Sequence, residues 1–325
     1  MDFVARQAHN QRWSAALVAL FILFFLLIGG AVDALYFDAF TPAGPAVPIA
    51  TIISLAFASC ATVTAYYGGS DIILSSLGAE KLNLTIPEHR ELHNIVTEMA
   101  LASGAPMPRI FVIYDPAPNA LATGTNDKNA AICVTSGLLT ALDREQTQGV
   151  VAHEISHIRN EDILLMTLVS ILLGGIAILA DWGRRGFYSS RTGSRFGRKN
   201  LLLFVPLLFL IALSPLIARL LAMAVSRQRE YLADATAAQY TRNPRGLARA
   251  LEKIRDEAMP FQKATRGTAQ LFFVNPLRRR VDERDGKLAD LLASHPPIER
   301  RIALLYRMAG IARASVESPS VQGVG

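Results

Sequence analysis

The chain has 325 residues, 51% of them hydrophobic, with a net charge of +6. That apolar content is high for a soluble protein, so part of the chain belongs in lipid. Its basic residues fall in short clusters and membrane flanks without aromatic interleaving, which excludes a nucleic-acid reader and leaves a membrane surface as the anionic neighbour.

The stretch "WSAALVALFILFFLLIGGAV", residues 13–32, carries no charge and has about 20 residues, enough to span roughly 30 Å of hydrocarbon as a helix. A cleaved signal peptide would have a shorter apolar core and a small-x-small site, which the following "DALYFDAF" lacks. A second uncharged run, 47–67, follows the turn "TPAGPAVP", and its Ser, Thr and Ala content suits helix packing in lipid. The two form a transmembrane hairpin over 1–68. Arg6 and Arg12 precede the first span, whereas 33–46 holds two aspartates and no Lys or Arg. Both ends of the hairpin should therefore face the cytoplasm, in a multi-pass inner-membrane protein.

Residues 69–162 are polar and mixed. Within 87–103, Leu92, Ile95, Val96, Met99 and Ala100 recur on one helical face, with Pro87 in the first turn and Gly104 after the end. The runs "RIFVIY", "NALATG" and "AAICVTSG" are short, β-prone and separated by turn residues, which predicts a small sheet. Cys133 lies in the last of these and Cys60 in the second apolar run; nothing pairs them, in keeping with a reducing compartment. Asp143 followed by Gln146 predicts a capping box opening the helix that carries "GVVAHEISHIRNEDILLM". Two further apolar runs, 163–180 and 201–218, make a second hairpin over 163–225 around a basic loop; it either crosses the bilayer twice, which puts the six Lys and Arg of 184–199 outside against the positive-inside rule, or is re-entrant or peripheral. A second polar region runs over 226–310, and the small, polar tail 311–325 is expected to be disordered.

The chemistry begins at His153 and His157, which lie one helical turn apart and can grip one ion through neutral imidazoles. Glu154 can reach a water at that ion without being a ligand, the arrangement of zinc-dependent amide hydrolysis. The position six residues after His157 is Ile163, which excludes a third histidine of the metzincin kind. In "SRQREYLADA", Glu230 and Asp234 are four apart on one face, suited to a ligand and a carboxylate supporting a ligand histidine. Spacing alone leaves Glu230 equally open to being an exposed charge paired with Arg227 or Arg229. His89 and His93 are also four apart but lack an adjacent carboxylate and read as a solvated face. His295, before two prolines, is either a turn residue or a catalytic donor to the oxyanion. Sinking Asp143, Arg144, Glu145, Glu154, Arg159, Glu161 and Asp162 in lipid would cost up to roughly 3 kcal/mol each, so the site should lie beside the membrane.

Taken in order, "NALATG", "VVAHEISHIRNED", "SRQREYLADA" and "SHPPIERRI", after a two-span hairpin, resemble the HtpX-like membrane zinc metalloproteases, relatives of the CAAX prenyl endopeptidases. The resemblance implies His153, His157 and Glu230 as ligands of one Zn2+ per chain, Glu154 as catalytic base and Asp234 as the supporting carboxylate. It also places His295 and Arg301 in a late "HPP...RI" element. The segment "FVNPLRRRVDERDGKLADLL" departs from the family in being longer and more charged. The expected fold is a mainly α membrane protein: four apolar helices and a zincin-type α+β catalytic domain carrying a small β-sheet. Its expected work is endopeptidase cleavage of polypeptides, including damaged membrane proteins, in stress-response quality control. The expected partners are those substrates and the lipid bilayer, with no nucleic acid, and the resemblance leaves room for membrane quality-control proteins of unknown identity. An extended substrate is expected along an edge strand formed by Ala130, Ala131, Ile132, Cys133, Val134 and Thr135. A prenyl-peptide protease and a non-catalytic zinc-stabilised scaffold are the alternatives; the scaffold would not need Glu154.

Overall fold

The computed structural model describes residues 3–36, 47–172, 174, 227–257, 259, 261, 268–274 and 296–311. Most of the second apolar hairpin with its basic loop, most of the charged link after Val274, His295 and the tail lie outside these residues.

Helices α1 (Phe3–Tyr36) and α2 (Ile49–Ser76) form the expected hairpin. Gly29 lets them touch, because a Cβ there would sit 2.5 Å from the Cα of Thr51. Asp33 caps α2 from across the loop: its carboxylate accepts the backbone N–H of Ala50 at 3.0 Å and of Thr51 at 2.7 Å. Those are first-turn donors that the helix itself cannot satisfy. Leu23, Leu27, Ile52, Ile53 and Phe57 stay exposed, an apolar surface that suits lipid rather than water. Among the described residues two helices, not four, are long and apolar enough to cross a membrane, Asn10–Ala34 and Ile49–Ser76.

Beyond its lipid-facing part α2 continues into the catalytic region, where Ile73, Leu74 and the following Leu77 are buried against one face of the sheet. The sheet has the order β1-β2-β4-β3, with β1 Ala79–Lys81, β2 Arg109–Ile113, β3 Ala120–Gly124 and β4 Ala130–Thr135. Strands β2 and β4 are parallel; the other pairs are antiparallel. Ile110, Val112, Ile132 and Val134 point to one core, while Phe111, Ile113, Ala131 and Cys133 point to the other. Burial on both faces explains why these strands read as continuous apolar runs rather than alternating ones.

The expected substrate strand, Ala130–Thr135, is therefore not an edge. Its backbone is hydrogen-bonded to β2 on one side and β3 on the other, which leaves no ladder for an extended peptide. The edge beside the zinc-motif helix is β3, and part of it is covered by the Leu121–Phe272 bridge and by the N–H of Phe273 donating to the Ala120 carbonyl at 2.8 Å.

Helix α3 (Pro87–Ser103) buries Leu92, Ile95, Val96, Met99 and Ala100 and ends at left-handed Gly104 (φ 66°). After the short α4 (Ser136–Ala141) comes α5 (Arg144–Arg159), which packs between α3, β3, α7 (Arg227–Thr241) and α8 (Pro244–Asp256). A shorter apolar helix, α6 (Asp162–Leu172), follows α5. The last described helix, α9 (Ile298–Met308), lies on α7 and α8.

Candidate metal centre

Helix α5 starts at the capping box: Gln146 N–H donates to Asp143 Oδ1 at 2.9 Å and Asp143 N–H to Gln146 Oε1 at 3.1 Å. Val150, Val151, Ile155 and Ile158 are buried in the main core. Gly149 lets α8 come close, since a Cβ there would lie 2.9 Å from both N and Cα of Leu247. The register is thereby fixed, and His153, Glu154 and His157 are buried toward α7, from which Glu230 and Asp234 arrive one turn apart.

His153 Nε2 lies 3.6 Å from Glu230 Oε2, His157 Nε2 lies 3.7 Å from Glu230 Oε1, and the two Nε2 atoms are 3.1 Å apart. Each imidazole is oriented from behind. His153 Nδ1–H donates to Asp234 Oδ1 at 2.9 Å, and His157 Nδ1–H donates to Asp162 Oδ2 at 3.1 Å. With both Nδ1 atoms protonated in this way, two Nε2 lone pairs face each other beside a carboxylate, a repulsive arrangement that a cation between them relieves. The buried charges agree in sign: Asp162, Glu230 and Asp234 outnumber the buried Arg301 and the mostly buried Arg229 even before Glu154 is counted, and a cation offsets the excess. Two imidazoles and a carboxylate are the donor types and number of a catalytic zinc site, and one zinc ion fits here.

Asp162 follows His157 by five residues, and in a continuous helix it would point roughly 140° away from it. The chain avoids this by leaving the helix: Asn160 ends α5, Glu161 takes the left-handed conformation (φ 57°), and α6 begins at Asp162. That turn swings the carboxylate back onto His157. No pattern in the sequence signals it, because helical periodicity predicts the opposite.

Arg301 of α9 supports the other side. Its Nε donates to Asp234 Oδ2 at 2.8 Å, its Nη2 to Asp234 Oδ1 at 2.7 Å and its Nη1 to the Phe273 carbonyl at 3.1 Å. Its Nη1 also lies 3.5 Å from Glu230 Oε2. Phe273 stacks edge-on against His153, with ring centroids 4.8 Å apart, and lies under the Arg301 guanidinium at 4.8 Å. Burial alone would raise the Asp234 carboxyl, but the Arg301 charge and the His153 hydrogen bond outweigh it and hold Asp234 below the usual range. For His153, burial works against the charged form, yet the Asp234 and Glu230 carboxylates leave its pKa raised.

Glu154 is 2% exposed, and burial pushes its carboxyl up to about 8 although the Ala122 N–H donates to it. A small cavity opens beside it, walled by Ala122, Met166, Leu271, Phe272 and Phe273. The His153, His157 and Glu230 side chains line the same cavity, so a carboxyl there can take a proton from, and return it to, a group held beside the metal ligands.

The remaining sequence candidates lie elsewhere. His89 is buried but accepts the Asn83 N–H at 3.1 Å, and the His153, His157 and Glu230 group is the one potential metal cluster among the described residues. Glu230 faces the histidines, while Arg229 reaches Asp162 at 3.7 Å. His295 lies outside the described residues.

The model of peptidase family M48 matches residues 87–309. A protease HtpX homolog of Caldanaerobacter subterraneus subsp. tengcongensis is 46% identical over 249 residues, covering 74% of this chain and 79% of that relative. A protease HtpX homolog of Levilactobacillus brevis is 36% identical over 306 residues, covering 93% and 98%. Among solved structures, Ste24p of S. mikatae aligns with a TM-score of 0.49 at 20% identity, over 93% of this chain and 67% of that one.

Proposed function

The chain belongs to peptidase family M48, and from that premise we infer that it cleaves misfolded or damaged membrane proteins at the cytoplasmic face of the bilayer. It is a membrane zinc endopeptidase. The observation that carries the reading is the convergence of His153, His157 and Glu230, with Glu154 buried beside them. The HtpX relatives, protease by name, support polypeptides as substrates.

Zinc, when bound, acidifies water and polarises the carbonyl under attack. The protein does the rest. His153, His157 and Glu230 hold the ion, and Asp234 and Asp162 fix the imidazole tautomers from behind. Glu154 takes the proton of the attacking water and returns it to the leaving amine, a role that suits a buried carboxyl beside the ligand side chains. Ala122 N–H steadies that carboxylate. Ala122 lies on β3, the edge strand beside the cavity.

The cytoplasmic orientation is supported by Arg6 and Arg12 ahead of the first span and by the absence of basic residues from 33–46. The runs 163–180 and 201–218 make two further crossings in this reading, supported by their length and lack of charge and by an upstream hairpin that sets the orientation against the six Lys and Arg of 184–199. The experiment is zinc analysis and casein cleavage by the purified full-length protein beside Glu154→Gln. One zinc per chain in both proteins, with cleavage lost in the variant, is expected. Equal cleavage by the variant overturns the mechanism.

A further inference from the structure

Asn10 lies near the start of α1, within the first membrane-crossing helix, yet its side chain is only 5% exposed. Burying an amide is costly unless its hydrogens find acceptors. Both of them do, and on the same turn of the chain, 150 and 152 residues away. Asn10 Nδ2 donates to the Asn160 carbonyl at 2.8 Å and to Asp162 Oδ1 at 2.7 Å. The other oxygen of that carboxylate, Oδ2, is the acceptor for His157 Nδ1–H at 3.1 Å.

The Asn160 carbonyl belongs to the C-terminal end of α5, where carbonyls have no partner within the helix. Asn10 thus caps the end of the zinc-motif helix and holds the carboxylate that orients its second histidine. The left-handed Glu161 between these two contacts costs backbone energy, so the turn needs an external hold to stay as it is. Arg229 Nη1, 3.7 Å from Asp162 Oδ1, adds positive charge at the same carboxylate. Beside Asn10, Gln11 reaches the same turn differently: its Nε2 donates to Glu161 Oε2 at 2.8 Å, on the exposed side and without touching Asp162.

We propose that Asn10 is a positioning residue of the zinc site: the first membrane helix reaches through its amide to Asp162 and sets the His157 imidazole. Seating of that helix is then coupled to zinc affinity and turnover. The proposal rests on the zinc endopeptidase reading and extends the catalytic apparatus into the membrane anchor.

The test uses the full-length protein in detergent micelles. Zinc affinity is measured by competition with a chelating dye, and kcat and KM on casein, for Asn10→Leu, Asn10→Gln, Gln11→Ala, Asp162→Ala and the Asn10→Leu/Asp162→Ala pair. Asp162→Ala should weaken zinc binding by roughly 10-fold to 100-fold, the effect of losing a partner of a ligand histidine. Asn10→Leu should weaken it several-fold and lower kcat with KM unchanged, and the pair should be no worse than Asp162→Ala alone. Asn10→Gln, which keeps an amide, should recover part of the loss, and Gln11→Ala should match the parent. Parental zinc affinity in Asn10→Leu, losses that multiply in the pair, or equal losses in Asn10→Leu and Asn10→Gln would overturn the proposal. A parent protein that binds no zinc would instead overturn the reading beneath it.

Discussion

Arg301 grips Asp234 through two parallel hydrogen bonds of 2.8 and 2.7 Å, with both side chains almost fully buried. The same carboxylate accepts from His153, so one ion pair sets the tautomer of a zinc ligand and ties α9 to α7.

Removing one partner strands a buried charge. Arg301→Ala is expected to destabilise the protein by about 3–5 kcal/mol, measured by denaturant unfolding of the micellar protein. Arg301→Met with Asp234→Leu should recover much of that stability, since apolar residues can replace a buried pair. It should not recover zinc affinity, because His153 then lacks its acceptor.

The pair also predicts an acid limb. The folded-state pKa of Asp234 lies below its ordinary value of 3.8, so its contribution is fully present above about pH 4 and is lost as pH falls through the lowered value. Unfolding free energy should therefore fall with acid below about pH 4. The Asp234→Asn protein should show a shallower acid slope.

Glu154 predicts the opposite slope in the metal-free protein. Its carboxyl is raised from 4.5 to about 8, so the folded state holds a proton that the unfolded chain has released between those values. Stability of the metal-free protein should decline as pH rises through that window, and Glu154→Gln should flatten the decline. In the zinc-loaded protein the same substitution should lower kcat on casein by roughly 10²-fold to 10⁴-fold while zinc stays bound.

Gly149→Ala tests the packing that sets the register of α5. A Cβ 2.9 Å from the Leu247 backbone must push α8 away, at about 1–3 kcal/mol. Because α8 packs on the helix that bears His153 and Glu154, kcat should fall along with the melting temperature.

What the sequence determined by itself was local. Helical periodicity puts His153 and His157 on one face, the Asp143 and Gln146 spacing marks where that helix starts, and apolar length marks the two described spans. These depend on residues a few positions apart, where one backbone geometry governs. Spacing could offer Glu230 only as a ligand or a surface charge, because the choice depends on which helix it meets. The strand 130–135 could not be recognised as interior, since pairing partners on both sides are a property of the sheet. The tertiary structure decided those points, and it alone joined Arg301 to Asp234 across 67 residues and Asn10 to Asp162 across 152. A buried polar group must find its partner wherever the fold brings one, and sequence distance carries no information about where that will be.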